Sequence, residues 1–236
     1  MLLTFKLVLG HILGNSMPKL KLVIFDFDGT FAYTHKSSGW DLIDDVLGCK
    51  EKEEVLRKDF NAGLIDFQNW SQKSCEIYRN YGLTIQHLGQ IVSTYVKPTN
   101  RLPKVLRDLG ELGIKTAIIS GSIFNIYEFF SKRYGTPVGY PRFAARLTFD
   151  SIGNLIGGEF TNYDYEGKVH VLKELCEKLS ISHGEVAMIG NDVNDISVFK
   201  ESGISIAFNP REEIVAKAAN HTVLHDMTKV LQYLKI

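Results

Sequence analysis

The feature that most constrains this chain is a short apolar run that keeps recurring. Leu22-Val23-Ile24-Phe25 is the first, followed by Lys115-Thr116-Ala117-Ile118-Ile119, Val186-Ala187-Met188-Ile189 and Ile204-Ser205-Ile206-Ala207. Short runs without polar alternation describe strands covered on both faces. Helical patterns separate the later runs. Residues 101–112 carry Pro103 near their start and Gly113 past their end, as helix termini prefer. Residues 168–179 set Val171, Leu172, Leu175 and Leu179 on one stripe, and 195–202 and 212–219 read as shorter helices. Strand and helix in alternation predict an α/β fold with a mostly parallel sheet covered on both faces.

Two stretches break the rhythm. Residues 36–96 hold no convincing strand but several helix signals. Trp40, Ile43 and Leu47 share a face ahead of Gly48; Asp66 can cap a helix carrying Phe67, Trp70, Ile77, Tyr78 and Tyr81. Thr84 can cap another carrying Leu88, Ile91, Val92 and Tyr95. An all-helical insert after the first strand is expected. Across 145–160, apolar residues flank Asp150-Ser151-Ile152-Gly153-Asn154, which predicts a β-hairpin turning near Gly153. The expected division is an N-terminal extension at 1–16, a core from 17–34 and 97–236, and a helical cap at 35–96.

Composition narrows the class. Of 236 residues 44% are apolar, and 27 basic side chains balance 27 acidic ones. That composition builds a core and excludes disorder; its neutral balance argues against a dedicated nucleic-acid partner. Cys49, Cys75 and Cys176 form neither a zinc pattern nor a disulfide framework, in keeping with a reducing cytoplasm. The apolar segment at 1–14 is shorter than the roughly 20 residues of a membrane span, and Lys6 and His11 interrupt it. No membrane partner is expected; a dispensable extension, a packed helix and an export signal all fit that segment.

The chemistry gathers where strands end. The first run leads into Asp26-Phe27-Asp28-Gly29-Thr30, the second into Ser120-Gly121-Ser122, the third into Gly190-Asn191-Asp192-Val193-Asn194-Asp195. Ligands of parallel α/β sheets bind beyond the carboxyl ends of the strands, so these segments should meet in one crevice. Carboxylates massed there repel one another unless a cation sits among them. An all-oxygen set suits Mg²⁺, which commonly takes one or two carboxylates plus substrate phosphate and water.

These segments resemble the motifs of the haloacid dehalogenase superfamily of phosphohydrolases: DFDGT the first, ISGS the second, Lys168 the third, GNDVND the fourth. The resemblance runs in order from about Lys21 to the C-terminus, and the insert, the hairpin and the tail ISIAFNP are similar to the phosphoserine phosphatase subgroup. It implies a Rossmann-like core under a helical cap, and a Mg²⁺-dependent phosphomonoesterase that hydrolyses a small-molecule phosphate ester through an aspartyl-phosphate. Asp26 would be the nucleophile and Asp28 the general acid/base. Ser120, Gly121, Ser122, Asn194 and Lys168 would bind the phosphate, Lys168 as a compact positive charge. Asp26, Asp28, Asn191, Asp192 and Asp195 would surround the metal, Asp195 as an outer carboxylate and Asp28 through its backbone carbonyl. A phosphotransferase or phosphomutase would use the same residues, and a weakened phosphate-binding protein is a further reading. Oligomeric state has no sequence signal.

Two departures from the family pattern matter. Aligning Asn194-Asp195 with the family's Asn-Asp puts Asn191 where a metal-binding aspartate is expected, with Asp192 one place later. The subgroup's amino-acid clamp is also missing. Residues 32–39 carry no acid, and the place of the clamp arginine falls on Ser74, beside Lys73 and a turn before Arg79. Tyr33, His35, Trp40 and Tyr78 are alternative pocket residues, though aromatics at helical spacing commonly serve the core.

Overall fold

The computed structural model describes residues 19–34, 36 and 38–234; the expected extension at 1–16 and His35 lie outside the described residues. In chain order, β1 (Leu22–Phe25) and β2 (Ala32–Thr34) precede four helices, α1 (Gly39–Leu47), α2 (Lys50–Asn61), α3 (Phe67–Asn80) and α4 (Ile85–Tyr95). Then come β3 (Val96–Pro98), α5 (Leu102–Glu111), β4 (Lys115–Ile123), α6 (Phe124–Tyr134), β5 (Tyr140–Phe149) and β6 (Leu155–Phe160). The chain continues through α7 (Glu166–Leu179), β7 (Val186–Gly190), α8 (Ile196–Glu201), β8 (Ile204–Phe208), α9 (Glu213–Ala218), β9 (His221–Val223) and α10 (Val230–Leu234).

Seven strands form one sheet in the order β6-β5-β4-β1-β7-β8-β9. Every neighbouring pair is parallel except the hairpin β5–β6. The central strand β1 is buried along its whole length, with Val23 and Phe25 in one apolar cluster and Leu22 and Ile24 in the other. That division is the period-2 alternation of a strand sandwiched between two layers. From β1 the chain crosses to β4 on one side and later fills β7 on the other. The strand order therefore reverses beside β1, the point where such sheets open a crevice.

The insert helices begin where capping residues stand. Ser38 accepts from the Asp41 amide, Asp66 accepts from the Asn69 amide at 2.7 Å, and Thr84 and His87 form a capping box. The turn between β5 and β6 places Gly153 at φ 93°, where a Cβ would fall 2.8 Å from Ile85 Cγ2. Only glycine fits that position without strain.

Two features lie outside the sequence expectation. A two-stranded antiparallel ribbon, β2 with β3, joins the ends of the helical insert. Three-residue strands are too short to show a period. Helix α2 also escaped the apolar pattern, because its sequence KEKEEVLRKDFN buries only Glu53 and Leu56. No described helix is long and apolar enough to cross a membrane.

Candidate active site

Asp26 leaves the end of β1 and meets Lys168, which the first turn of α7 carries in from the far side of the crevice. The Lys168 ammonium donates to Asp26 Oδ1 at 2.9 Å and to Asp195 Oδ1 at 2.7 Å, and it has no exposed surface. A buried ammonium is tolerated when paired and hydrogen-bonded, and here two carboxylates share it. Burial works against the Lys168 charge, yet Asp195 and Asp26 hold its proton more tightly than usual. Burial pushes the Asp26 carboxyl up to about 7, with Lys168 pulling the other way. Lys168 thus stands behind Asp26 and favours its charged form.

Asp195 commits both oxygens: Oδ1 to Lys168, Oδ2 to the amides of Asn191 at 2.8 Å and Asp192 at 3.1 Å. It positions Lys168 and the loop after β7. Asp192 caps the turn at Val193–Asp195 and pairs with Arg211 at 2.6 Å. Asn191 packs under the loop after β1, its amide fixed by Asp195 and its carbonyl by the Arg211 amide at 2.9 Å. Its Oδ1 is buried and finds no hydrogen-bond partner among the described residues, as is true of Asp28 Oδ1 and Asn194 Oδ1. Buried polar atoms in folded chains are ordinarily satisfied, so these oxygens await something absent from the chain.

Among the described residues no group of three or more His, Cys, Asp or Glu side chains is arranged to hold a metal ion. The reason is local: Asn191 occupies one place, while Asp192 and Asp195 are engaged by Arg211, Lys168 and backbone amides. What remains is an oxygen set from Asp26, Asp28 and Asn191, in which the buried, unpartnered Asn191 Oδ1 fits a small hard cation.

Asp28 turns into the crevice and accepts from the Gly39 amide at 3.2 Å; burial pushes its carboxyl up to about 6. Ser120 and Ser122 are buried at the end of β4, and the Ser122 amide donates to Ser120 Oγ at 3.2 Å. Asn194 donates to Asp164 at 2.6 Å. Asp164, one turn before Lys168, was not singled out from sequence; its only signal was that spacing.

A cavity of about 180 Å³ opens over these groups, with Asp26, Asp28, Ser120, Gly121, Ser122, Asp164, Asp192 and Asn194 in its core-side wall. Across from them stand Trp40 of α1, Arg57 and Phe60 of α2, and Phe67 and Trp70 of α3. The Trp40 indole donates to the Gly121 carbonyl at 3.0 Å, and Phe67 packs on Gly121 closely enough that a Cβ there would meet its Cζ at 3.3 Å. Arg57 pairs with Asp41 at 3.0 Å and Asp44 at 3.4 Å. Lys168, Asn191 and Asp195 lie behind the cavity wall. Ser74 is buried on Glu53, Lys73 is exposed, and Arg79 faces a separate hollow beside Gly157 and Gly158. Of the aromatic alternatives, Trp40 lines the cavity, Tyr78 donates to Asp44 beneath it, and Tyr33 is exposed.

Comparison with known proteins agrees with this architecture. The sequence matches the family profile described as haloacid dehalogenase-like hydrolase over residues 20–203. It is 25% identical over 223 residues to a phosphoserine phosphatase of Methanocaldococcus jannaschii, covering 92% of this chain and 99% of that protein. A haloacid dehalogenase family hydrolase from Salmonella enterica serovar Typhi superposes with a TM-score of 0.77 at 20% identity, covering 94% of this chain and 73% of that one. The structure of a phospho-aspartyl intermediate analogue of phosphoserine phosphatase superposes with a TM-score of 0.72 at 24% identity, covering 91% and 99%.

Proposed function

The chain belongs to the haloacid dehalogenase-like hydrolases, and from that membership we propose that it is a divalent-metal-dependent phosphatase that cleaves small phosphate monoesters through an aspartyl-phosphate on Asp26. The observation that carries the reading is the chain Asp195–Lys168–Asp26 ending at a cavity that Asp28 also lines. Relatives named phosphoserine phosphatase over most of this chain's length support it.

In the first half-reaction Asp26 attacks phosphorus through the oxygen that Lys168 does not occupy, and the ester oxygen leaves with a proton from Asp28. In the second, Asp28 takes a proton from water, the water oxygen bonds to phosphorus, and the Asp26–phosphorus bond breaks to release phosphate. Lys168 holds the Asp26 carboxylate charged and aimed throughout. Ser120, Gly121, Ser122 and Asn194 supply the polar surface against which the phosphoryl oxygens rest. Asp26, Asn191 and the Asp28 carbonyl would hold the cation, for which Mg²⁺ is the best chemical match; when bound it supplies charge that offsets repulsion between phosphate and Asp26.

The insert α1–α4 acts as a cap that limits entry to small esters and restricts water. Three free, buried thiols, Cys49, Cys75 and Cys176, suit a reducing cytoplasm. The test is phosphate release from a panel of monoesters. Turnover is expected with Mg²⁺, and none after chelation or in Asp26→Asn; full activity in Asp26→Asn would overturn the reading.

A further inference from the structure

Resting on that phosphatase reading, we propose that the helical side of the cavity is an aromatic box for a small, uncharged, single-ring leaving group, so that the substrate class is aryl or heteroarylmethyl phosphates rather than phosphorylated amino acids. The rings come from three helices and meet at close range. Trp40 and Trp70 have centroids 4.9 Å apart, Phe67 and Trp70 5.3 Å, and Phe60 lies 5.8 Å from both Phe67 and Trp70. All four contacts are edge-to-face or tilted, leaving ring faces and edges that a further ring can join.

The box begins where the phosphoryl site ends, because Trp40 and Phe67 both rest on Gly121. A monoester whose phosphorus lies before Asp26 therefore directs its organic part among these rings. The Trp70 indole supplies an independent sign. Trp70 is 4% exposed and lines the cavity, yet its Nε1 has no hydrogen-bond partner among the described residues. Buried indole N–H groups usually find an acceptor; this one is closed to solvent in the structure, and a small turn of the Trp70 ring toward the cavity would bring it to a ring nitrogen or ring hydroxyl of the ligand.

Charge disfavours the alternatives. An amino-acid ester presents an ammonium and a carboxylate. On the helical side the one charged side chain in the wall is Arg57, already paired with Asp41 and Asp44. A carboxylate would have to displace those partners. The Arg57 guanidinium also lies 5.6 Å from the Trp70 ring centroid, so it occupies a ring face that would otherwise attract a cation and repels an ammonium brought beside it. The other charges in the wall belong to the core side: Asp26 and Asp28 at the phosphoryl site, Asp164, which accepts from Asn194, and Asp192 with its partner Arg211. Size sets the upper limit. An apolar cavity of about 150 Å³ takes one benzene, and here about 180 Å³ must hold the phosphoryl group as well.

The chain's two tryptophans, Trp40 and Trp70, are both in the box, so intrinsic tryptophan emission reports on this site alone. The experiment titrates the full chain with benzylphosphonate and, separately, with the phosphonate analogue of phosphoserine while following emission. It then compares turnover of benzyl phosphate, pyridylmethyl phosphate, phosphoserine and phosphocholine, whose alcohol leaving groups avoid the intrinsic advantage of phenols. Saturable quenching by benzylphosphonate, about tenfold tighter than by the amino-acid analogue, is expected, together with kcat/KM for the ring esters roughly 100-fold above phosphoserine. Trp70→Phe, which keeps a ring and removes the N–H, should raise KM for pyridylmethyl phosphate about tenfold more than for benzyl phosphate. Turnover of phosphoserine or phosphocholine equal to or above the ring esters, or emission indifferent to benzylphosphonate, would overturn the box while leaving the phosphatase intact. Absence of turnover across the whole panel would instead remove the phosphatase reading and the box with it.

Discussion

The Asn191 carboxamide rests on Gly29: a Cβ on Gly29 would lie 2.2 Å from Asn191 Nδ2. This contact locks the loop after β1 to the loop after β7, and so sets how Asp26 and Asp28 face Ser120 and Ser122 across the crevice. Gly29 also sits at φ 88°, a conformation that side chains resist.

Gly29→Ala is therefore strained twice. It should destabilise the fold by about 2 kcal/mol and lower kcat strongly. Thermal melts and steady-state kinetics on the same preparation check this. An alanine variant with unchanged melting and turnover would contradict it.

Asn191 brings an oxygen but no charge toward the proposed cation. Asn191→Asp should lower the Mg²⁺ concentration for half-maximal activity by about tenfold, since affinity for hard cations follows the charge of the ligand set. A magnesium titration of wild type and variant measures it; equal or weaker affinity in the variant counts against Asn191 as a ligand.

Lys168→Met leaves Asp26 and Asp195 buried without their common cation. Removing one partner of a buried ionic network costs about 3–5 kcal/mol. Urea unfolding should show a loss of that order along with loss of phosphate release.

Trp40→Phe keeps a ring in place but deletes the hydrogen bond to the Gly121 carbonyl. The expected cost is about 1 kcal/mol, read as a melting point lower by about 2–4 °C for a chain of this size.

Glu53 lies buried in the insert with Oε2 accepting from Ser74 and Oε1 without a partner among the described residues. Burial raises its carboxyl from 4.5 to about 7. The folded chain thus binds this proton more tightly than the unfolded one. Its stabilising contribution is full below pH 4.5, declines as pH rises, and is lost above about 7. Glu53→Gln should be more stable than wild type at pH 8, by about 3 kcal/mol, and show little gain near pH 4.5. Urea unfolding at the two pH values measures the difference; equal effects at both would contradict the assignment.

The core side of the crevice was legible because its strands carry continuous apolar runs that end abruptly in polar residues. β1 into Asp26, β4 into Ser120 and β7 into Asn191 all announce themselves in this way. The facing wall was not. Arg57 and Phe60 sit on α2, whose charged sequence reads as solvent-facing helix, and only the packing of α2 against α3 brings them to the cavity. Phe67 and Trp70 carry the same helical spacing as core residues, so nothing local separates a ring that fills the interior from one that lines a hollow. Arg211 and Asp164 act from loops, where neighbours in space are distant in sequence.

The hairpin turn has a mechanical corollary. The Gly153 carbonyl accepts from the Ile85 amide at 2.9 Å, and the Leu155 amide donates to the Leu83 carbonyl at 3.0 Å, so the α3–α4 junction is stitched to the sheet's outer edge. With β2 and β3 fastening its two ends, the insert is anchored at three places. The other flank is fixed as well, since the Gly39 amide and the Trp40 indole of α1 donate to Asp28 and to the Gly121 carbonyl, so the helical wall is joined to the crevice rim from both sides.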